Sequence, residues 1–319
     1  EYFKEEEVDF AVVEVGLGGR LDATNVVDPM LSVITSISYE HTNFLGNTLT
    51  KIAGEKGGII KPGKTVVVSP QKEEALTVFE QLAKEKYSQL VRTGIDNSFE
   101  LDNHSLQNQT FRVWQNGKRE GNLDAGTKLT IPLLGHHQVE NAATAYAVLM
   151  EMKKLGVKLQ KEQIQDGFAL MKWPGRFEIL NREPLVIIDS AHNQDAAAKL
   201  RQTLEDYLPG KKVVLLFGAS EDKDVKSMYS ELLPYTNVLI ASESIHPRAM
   251  EAAKLIEYAM GFDVEAIASV PMETAMKIAL SKTSEQHPLL ITGSLFVAGA
   301  AREIWDNGSF FEKIKLEHD

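Results

Sequence analysis

Short apolar runs alternate with stretches of helical period along most of the chain, the pattern of an α/β fold whose strands are mainly parallel. Phe10–Val15 and Leu31–Ile37 read as buried strands, Thr48–Glu55 as a helix, Thr65–Ser69 as a strand and Lys72–Lys86 as a second helix. From about Thr93 to Leu134 the pattern changes to polar, aromatic-studded strands. The Asn116-Gly117 and Glu120-Gly121 dipeptides there predict turns, and so antiparallel hairpins inserted into the surrounding domain. A long helix over Val139–Leu155 follows.

Trp173-Pro174-Gly175-Arg176 interrupts the helical period, and β-α alternation restarts after it. Two domains are expected, because single cores stop growing beyond roughly 250 residues. The boundary is placed at this interruption, giving domains at 1–176 and 177–319. The second reads as strands Leu185–Asp189, Val213–Phe217, Val238–Ser242, Val264–Ile267 and Leu289–Thr292. Helices Gln194–Tyr207, Val225–Leu233, Arg248–Met260 and Met272–Ser281 lie between them. Five parallel strands with intervening helices predict a Rossmann-like layer fold.

Composition narrows the chemistry. The 319 residues carry a net charge of -11, and a surface of that sign repels nucleic-acid backbones. There is no cysteine, which removes disulfides and thiolate chemistry and leaves oxygen or imidazole ligands for any metal. Hard cations such as magnesium suit that set. No apolar run approaches a membrane span, and the acidic opening EYFKEEEVDF is unlike a signal or transit peptide, so a cytoplasmic location is expected. The chain starts without methionine and enters a strand pattern almost at once, so it is expected to continue upstream.

The densest polar cluster is Glu14-Val15-Gly16-Leu17-Gly18-Gly19-Arg20-Leu21-Asp22-Ala23-Thr24-Asn25, after the first strand pattern. A dinucleotide fingerprint would need a third glycine where Leu21 stands, so that reading, and with it a dehydrogenase, is disfavoured. A buried strand ending in Glu14 would leave a carboxylate needing a cation or several donors. His41, after the second strand, would by itself be a satisfied polar group, but an imidazole and a carboxylate together suit a divalent ion. Gly58-Ile59-Ile60-Lys61-Pro62-Gly63-Lys64-Thr65 fits the phosphate-loop pattern letter for letter. Its context is inverted, however, with a helix before it and a strand after it, so it reads as a turn. Gly135-His136-His137-Gln138-Val139-Glu140-Asn141 opens a helix, where capping is the plainer role, whereas Asp189-Ser190-Ala191-His192-Asn193 ends the next domain's first strand before a helix, at the ligand-binding edge. Arg176 stands at the expected hinge, from which a guanidinium can reach phosphates.

Taken together, EVGLGGRLDATN, EHTNFLGNTLTKIAGEKGGIIKPG, GHHQVENAATA, WPGRFE, DSAHN and ITGSLFVAGAAREI resemble the folylpolyglutamate synthase and dihydrofolate synthase branch of the Mur ligase family, in family order and over nearly the whole chain. The resemblance implies a central Mur-ligase ATPase domain, truncated at its N-terminal side, followed by a Rossmann-like C-terminal domain. It implies ATP-dependent addition of L-glutamate to folate through an acyl phosphate, with ATP and magnesium as cofactors and with conversion of dihydropteroate to dihydrofolate left open as a second activity. A monomer is expected, with neither nucleic acid nor membrane as a partner. Glu14, His41 and Lys56 correspond to magnesium ligands, Lys56 through a carbamate that also makes it a catalytic residue. Asn141, Arg176 and Asp189 correspond to ATP contacts and His192 to a catalytic-site histidine. Leu21, Asp22 and Ala23 correspond to the pterin-substrate region, and Ser294 to the substrate cleft. Glu40, Gly57 and Ser190 depart from the usual aspartate, alanine and glycine. The family's GTNGKGS-type loop, expected upstream of Glu14, is not among these residues, so the sequence as written is expected to be inactive alone. A non-catalytic remnant is the rival reading.

Overall fold

The computed structural model describes residues 2–115 and 126–307. The chain divides into two compact units. The first takes the residues up to Glu100, then Phe111–Leu129 and Val139–Gln165; the second takes Leu101–Thr110, Thr130–Gln138 and the chain from Asp166 onward.

In chain order the first elements are α1 (Tyr2–Glu5), β1 (Leu31–Ile34), α2 (Thr42–Leu45), α3 (Leu49–Lys56), β2 (Thr65–Val68), α4 (Glu73–Glu85) and β3 (Leu90–Arg92). Strands β1, β2 and β3 form a parallel sheet in that order. Alternation along β2 sets its two faces. Val66 and Val68 pack with Ile52 and Ala53 of α3 and Ala75, Phe79 and Ala83 of α4, while Val67 packs with Val91 and Ala147. Ala75, Phe79 and Ala83 recur every fourth residue, so α4 buries one stripe, and Glu73 and Glu74 in its first turn with Lys84 in its last complement the helix dipole.

Strands β4 (Asn97–His104), β5 (Gln109–Gln115) and β6 (Thr127–Ile131) make a second three-stranded sheet in the order β4-β5-β6. Helices α5 (His136–Lys154) and α6 (Lys161–Ala169) follow. The expected turns at Asn116-Gly117 and Glu120-Gly121 lie outside the described residues.

The remaining elements are β7 (Glu178–Arg182), β8 (Leu185–Ile188), α7 (Gln194–Tyr207), β9 (Val213–Phe217), α8 (Val225–Leu232), β10 (Thr236–Ala241), α9 (Ala252–Ala259), β11 (Glu265–Ala268), α10 (Met272–Ser281), β12 (Leu289–Thr292) and α11 (Leu295–Asp306). Their sheet runs β11-β10-β9-β12-β8-β7. The five strands β8 to β12 are parallel, and β7 closes one edge antiparallel to β8. Leu215, Phe217, Leu239 and Leu290 meet α7, α8 and α9 on one face; Val214, Leu216, Ile240 and Ile291 meet α10 and α11 on the other. Burial on both faces explains why these strands read as unbroken apolar runs.

Two expectations need correction, and two elements were not expected. Phe10–Val15 is no strand: none of the described strands pairs with it, and Val12 is 97% exposed. A β-prone sequence makes a strand only where a neighbour completes the ladder. The expected helix Arg248–Met260 begins instead at Ala252, because the preceding backbone is committed elsewhere, Met250 N–H to Ala219 O at 2.8 Å and Glu221 N–H to Arg248 O at 2.9 Å. The antiparallel edge β7 and the last helix α11 are elements that the apolar pattern did not reveal.

Candidate functional site

In the first unit the glycine-rich segment after Glu14 is an ordered loop folded onto the end of α3. Asp22 clasps it. Its Oδ1 accepts from the Thr24 hydroxyl at 2.6 Å and the Thr24 N–H at 2.9 Å, and its Oδ2 accepts from the Leu17 N–H at 2.9 Å. Those bonds, the Thr24 hydroxyl's first, hold the carboxyl at about 2, below its ordinary value. Arg20 donates its N–H to Glu55 O at 2.8 Å, and its guanidinium pairs with the Glu55 carboxylate at 3.0 Å. Asn25 donates to Arg20 O at 3.0 Å, and Lys61 Nζ donates to Asn25 O at 2.6 Å. The approach is close enough to require glycine at Gly58, where a Cβ would fall 2.3 Å from Arg20 Cα.

This packing brings the expected substrate-region residues Leu21, Asp22 and Ala23 beside the α3 terminus that carries Lys56, whose carbonyl would lie 2.9 Å from a Cβ at Gly19. Leu21 is 79% exposed, Ala23 opens a short 3-10 turn, and Lys56 is half-buried. His41 precedes α2 with a left-handed backbone (φ 51), and its ring lies 3.8 Å from the Glu40 carboxylate. Asn141 is exposed on α5.

Glu14 departs from its expected surroundings. It is exposed and follows no strand, so the argument that a buried carboxylate requires a cation does not apply to it. Among the described residues no group of three or more His, Cys, Asp or Glu side chains comes together to hold a metal.

The phosphate-loop look-alike at Gly58–Thr65 is a turn. α3 ends at Lys56, a 3-10 turn over Gly57–Ile59 leads into the segment, and β2 begins at Thr65. Its amides are already donated, Ile60 to Gly57 O, Gly63 to Lys86 O and Lys64 to Lys61 O. Lys64 is paired with Asp28 at 3.1 Å. Amides and a lysine committed in this way do not cradle a phosphate.

In the second unit the candidates gather at the carboxyl ends of β8 and β12, neighbouring parallel strands. The turn Gly175–Phe177 is stitched to Asp189–Ala191. Ser190 N–H donates to Gly175 O at 3.0 Å, the Arg176 guanidinium donates through Nη1 to Ser190 Oγ, and Phe177 N–H donates to Asp189 Oδ2 at 2.9 Å. Asp189 Oδ1 accepts from the Ala191 N–H at 2.8 Å. Phe177 is buried with φ 42, a conformation that costs a non-glycine residue energy and that the bond to Asp189 helps to hold. Asp189 is 8% exposed; burial pushes its pKa up, against the pull of the two amides and of Arg176. His192 Nδ1 lies 3.0 Å from Ser190 O. Ser294 is buried and caps α11, its Oγ accepting from the Val297 N–H at 3.1 Å. Near Arg176, burial first, then the charges of Lys199 and Arg176, hold the pKa of His137 down at about 4.

Glu55, Asn25 and Phe177 hold these loops in place but were not among the expected residues. The Gly57-Gly58 pair was the available signal for the first two, since paired glycines mark close backbone approach. A positive φ at a phenylalanine leaves no such trace.

The Mur ligase middle domain model matches residues 1–149, and the Mur ligase glutamate ligase domain model matches residues 175–295. The dihydrofolate synthase/folylpolyglutamate synthase of Bacillus subtilis is 32% identical over 311 residues, spanning 95% of this chain and 69% of that protein. A probable bifunctional folylpolyglutamate synthase/dihydropteroate synthase of Halobacterium salinarum is 33% identical over 306 residues, and this chain spans 36% of its length. Mycobacterium tuberculosis folylpolyglutamate synthase, solved in complex with ADP, superposes with a TM-score of 0.84 at 29% identity, over 95% of this chain and 69% of that one. These relatives are named as synthases and lend no support to a non-catalytic remnant.

Proposed function

We propose, from the premise that this chain belongs to the folylpolyglutamate synthase and dihydrofolate synthase family of Mur ligases, that it serves an ATP-dependent ligation of L-glutamate to folate. The γ-phosphoryl group of ATP passes to a folate carboxylate oxygen, giving ADP and an acyl phosphate. The glutamate amine then attacks the acyl carbon, loses a proton and expels phosphate, leaving an amide. Residues 1–176 form the ATPase domain in this reading and 177–319 the ligase domain.

The observation that carries the reading is the clasp at Arg176. A permanently charged guanidinium is fixed at the carboxyl edge of a parallel sheet, where open α/β folds bind ligands, and transferring phosphoryl groups gather negative charge that such a group stabilises. Asp189 holds the backbone on which Arg176 sits, and His192 stands three residues on from it. Asn141 contributes a further nucleotide contact. Leu21 and Ala23 offer exposed surface to the pterin, on a loop whose shape Asp22 fixes; Ser294 sets the edge of the substrate cleft.

Magnesium, when bound, would neutralise phosphate charge and orient the oxygens. A hard cation bound with phosphates keeps several waters and asks for one or two protein oxygens. The exposed Glu14 carboxylate meets that request, and Lys56 would do so as a carbamate, with His41 nearby in sequence as the third expected ligand. Lys56→Ala is expected to lose activity that short carboxylic acids partly restore; no rescue would remove the carbamate.

The test of the function is direct. The intact protein is supplied with ATP, labelled L-glutamate and either tetrahydrofolate or dihydropteroate, and ADP release is compared with amide formation. One ADP per glutamate added is expected; ATP turnover without amide, or amide without ATP, sinks the proposal.

A further inference from the structure

We infer that Ser190 is a positioning residue that fixes the Arg176 guanidinium through a neutral hydroxyl rather than a carboxylate, leaving its remaining donors to an anionic ligand, the nucleotide phosphates of the reaction proposed above. The inference rests on that functional reading and names a residue and a device that it does not include.

Four of the described arginines face carboxylates, while Arg182 donates to the backbone carbonyl Leu106 O at 3.3 Å. Arg20 faces Glu55, Arg92 faces Asp96 and Glu80, Arg201 faces Glu231 and Glu205, and Arg302 faces Glu178 and Asp306. Each of those charges is compensated by a carboxylate. Arg176 differs from those four, since its guanidinium donates to a buried neutral hydroxyl, Ser190 Oγ, at the carboxyl edge of the sheet. The serine is 1% exposed, and its own N–H is fixed to Gly175 O at 3.0 Å, so the acceptor is immobile. Arg176 itself is exposed. A guanidinium has five N–H donors in a rigid fork, so anchoring one leaves others for a ligand.

A carboxylate does lie close by, and the backbone keeps it occupied. Asp189 adjoins Ser190 in sequence, yet its two oxygens accept from the Phe177 and Ala191 amides. An Arg176–Asp189 salt bridge would have spent the charge within the protein. Asp189 acts on Arg176 only through space, its oxygens accepting from amides, while the direct contact to the guanidinium is a hydroxyl. A side chain with long, flexible torsions loses less freedom on binding when it is already held, which lowers the cost of capturing an anion.

The experiment measures ADP affinity by calorimetry and ATP-dependent turnover for the parent protein, Ser190→Ala, Ser190→Thr and Ser190→Asp, with thermal melting alongside. Ser190→Ala should weaken ADP roughly five- to tenfold, the scale of one hydrogen bond to a charged group, with the melting temperature close to the parent's. Ser190→Thr keeps the hydroxyl and should restore affinity to within about twofold. Ser190→Asp would hold Arg176 but cancel its charge, and should bind ADP more weakly than Ser190→Ala. Should the added carboxylate prevent folding, the alanine and threonine pair decides alone. Parent-like ADP affinity and turnover in Ser190→Ala, or a gain in either, overturns the inference while leaving the ligase reading intact. A parent protein that makes no amide and binds no ADP overturns that reading first, and this one with it.

Discussion

Asp22 in the first unit and Asp189 in the second do one mechanical task in opposite surroundings. Each accepts backbone N–H groups and closes a turn, Asp22 from Leu17 and Thr24, Asp189 from Phe177 and Ala191. Their pKa values nevertheless move in opposite directions, Asp22 down to about 2 and Asp189 up. Hydrogen bonds to the charged form win where water still solvates the carboxylate, as at Asp22, which also takes the Thr24 hydroxyl. Desolvation wins at Asp189, sealed beneath the Arg176 turn. The arginines repeat the contrast, Arg20 paired with a carboxylate and Arg176 with a hydroxyl. The first loop is electrostatically closed on itself. The second keeps a charge in reserve.

The largest expected effect breaks the second side of the comparison. Arg176→Ala should cut turnover by roughly 100- to 1,000-fold, the range for losing a group that stabilises transition-state charge. Because the side chain is exposed, the melting temperature should hold. Unchanged turnover at saturating ATP would remove Arg176 from the site.

Gly58→Ala attacks the first side. Its new Cβ would collide with Arg20 backbone, so the loop must move off α3, at a cost of about 1–3 kcal/mol typical of overpacking. Urea titration should show a midpoint shift to match; a parent-like midpoint would mean that the brace is slack.

Acid titration sharpens the comparison without a collision. The pKa of Asp22 is depressed in the fold, so its contribution is present above the ordinary carboxylate pKa near 3.8 and is lost as pH falls towards 2. The raised pKa of Asp189 gives the reverse: its contribution is complete below that ordinary value and shrinks as pH rises towards the folded one. Asp22→Asn should therefore flatten the loss of stability between roughly pH 4 and pH 2, followed by fluorescence or circular dichroism. A slope as steep as the parent's would show that Asp22 is not the titrating clasp.

Lys64→Ala should do least. Its partner Asp28 is 77% exposed, and such surface pairs contribute about 0–1 kcal/mol, so ADP affinity should stay within error and stability nearly so. A marked loss of nucleotide binding would reinstate Gly58–Thr65 as a phosphate loop.

What the sequence determined by itself was whatever local periodicity encodes. The apolar runs of β8, β9 and β12, the stripes of α4 and α7 and the Asn193 cap of α7 place themselves, because burial on two faces and helical spacing are properties of neighbouring residues. The inverted context of the phosphate-loop look-alike was legible for the same reason. The strand expected at Phe10–Val15 was not decided locally, since a ladder needs a partner that no propensity supplies. The charge states were out of reach too. Whether Arg20 or Arg176 meets a carboxylate depends on groups 35 residues away in the first case and 14 in the second, and whether Asp22 or Asp189 is the stronger acid depends on how much water the fold leaves around each carboxylate. Pairing and solvation are set only when distant segments meet, and so the tertiary structure alone decided them.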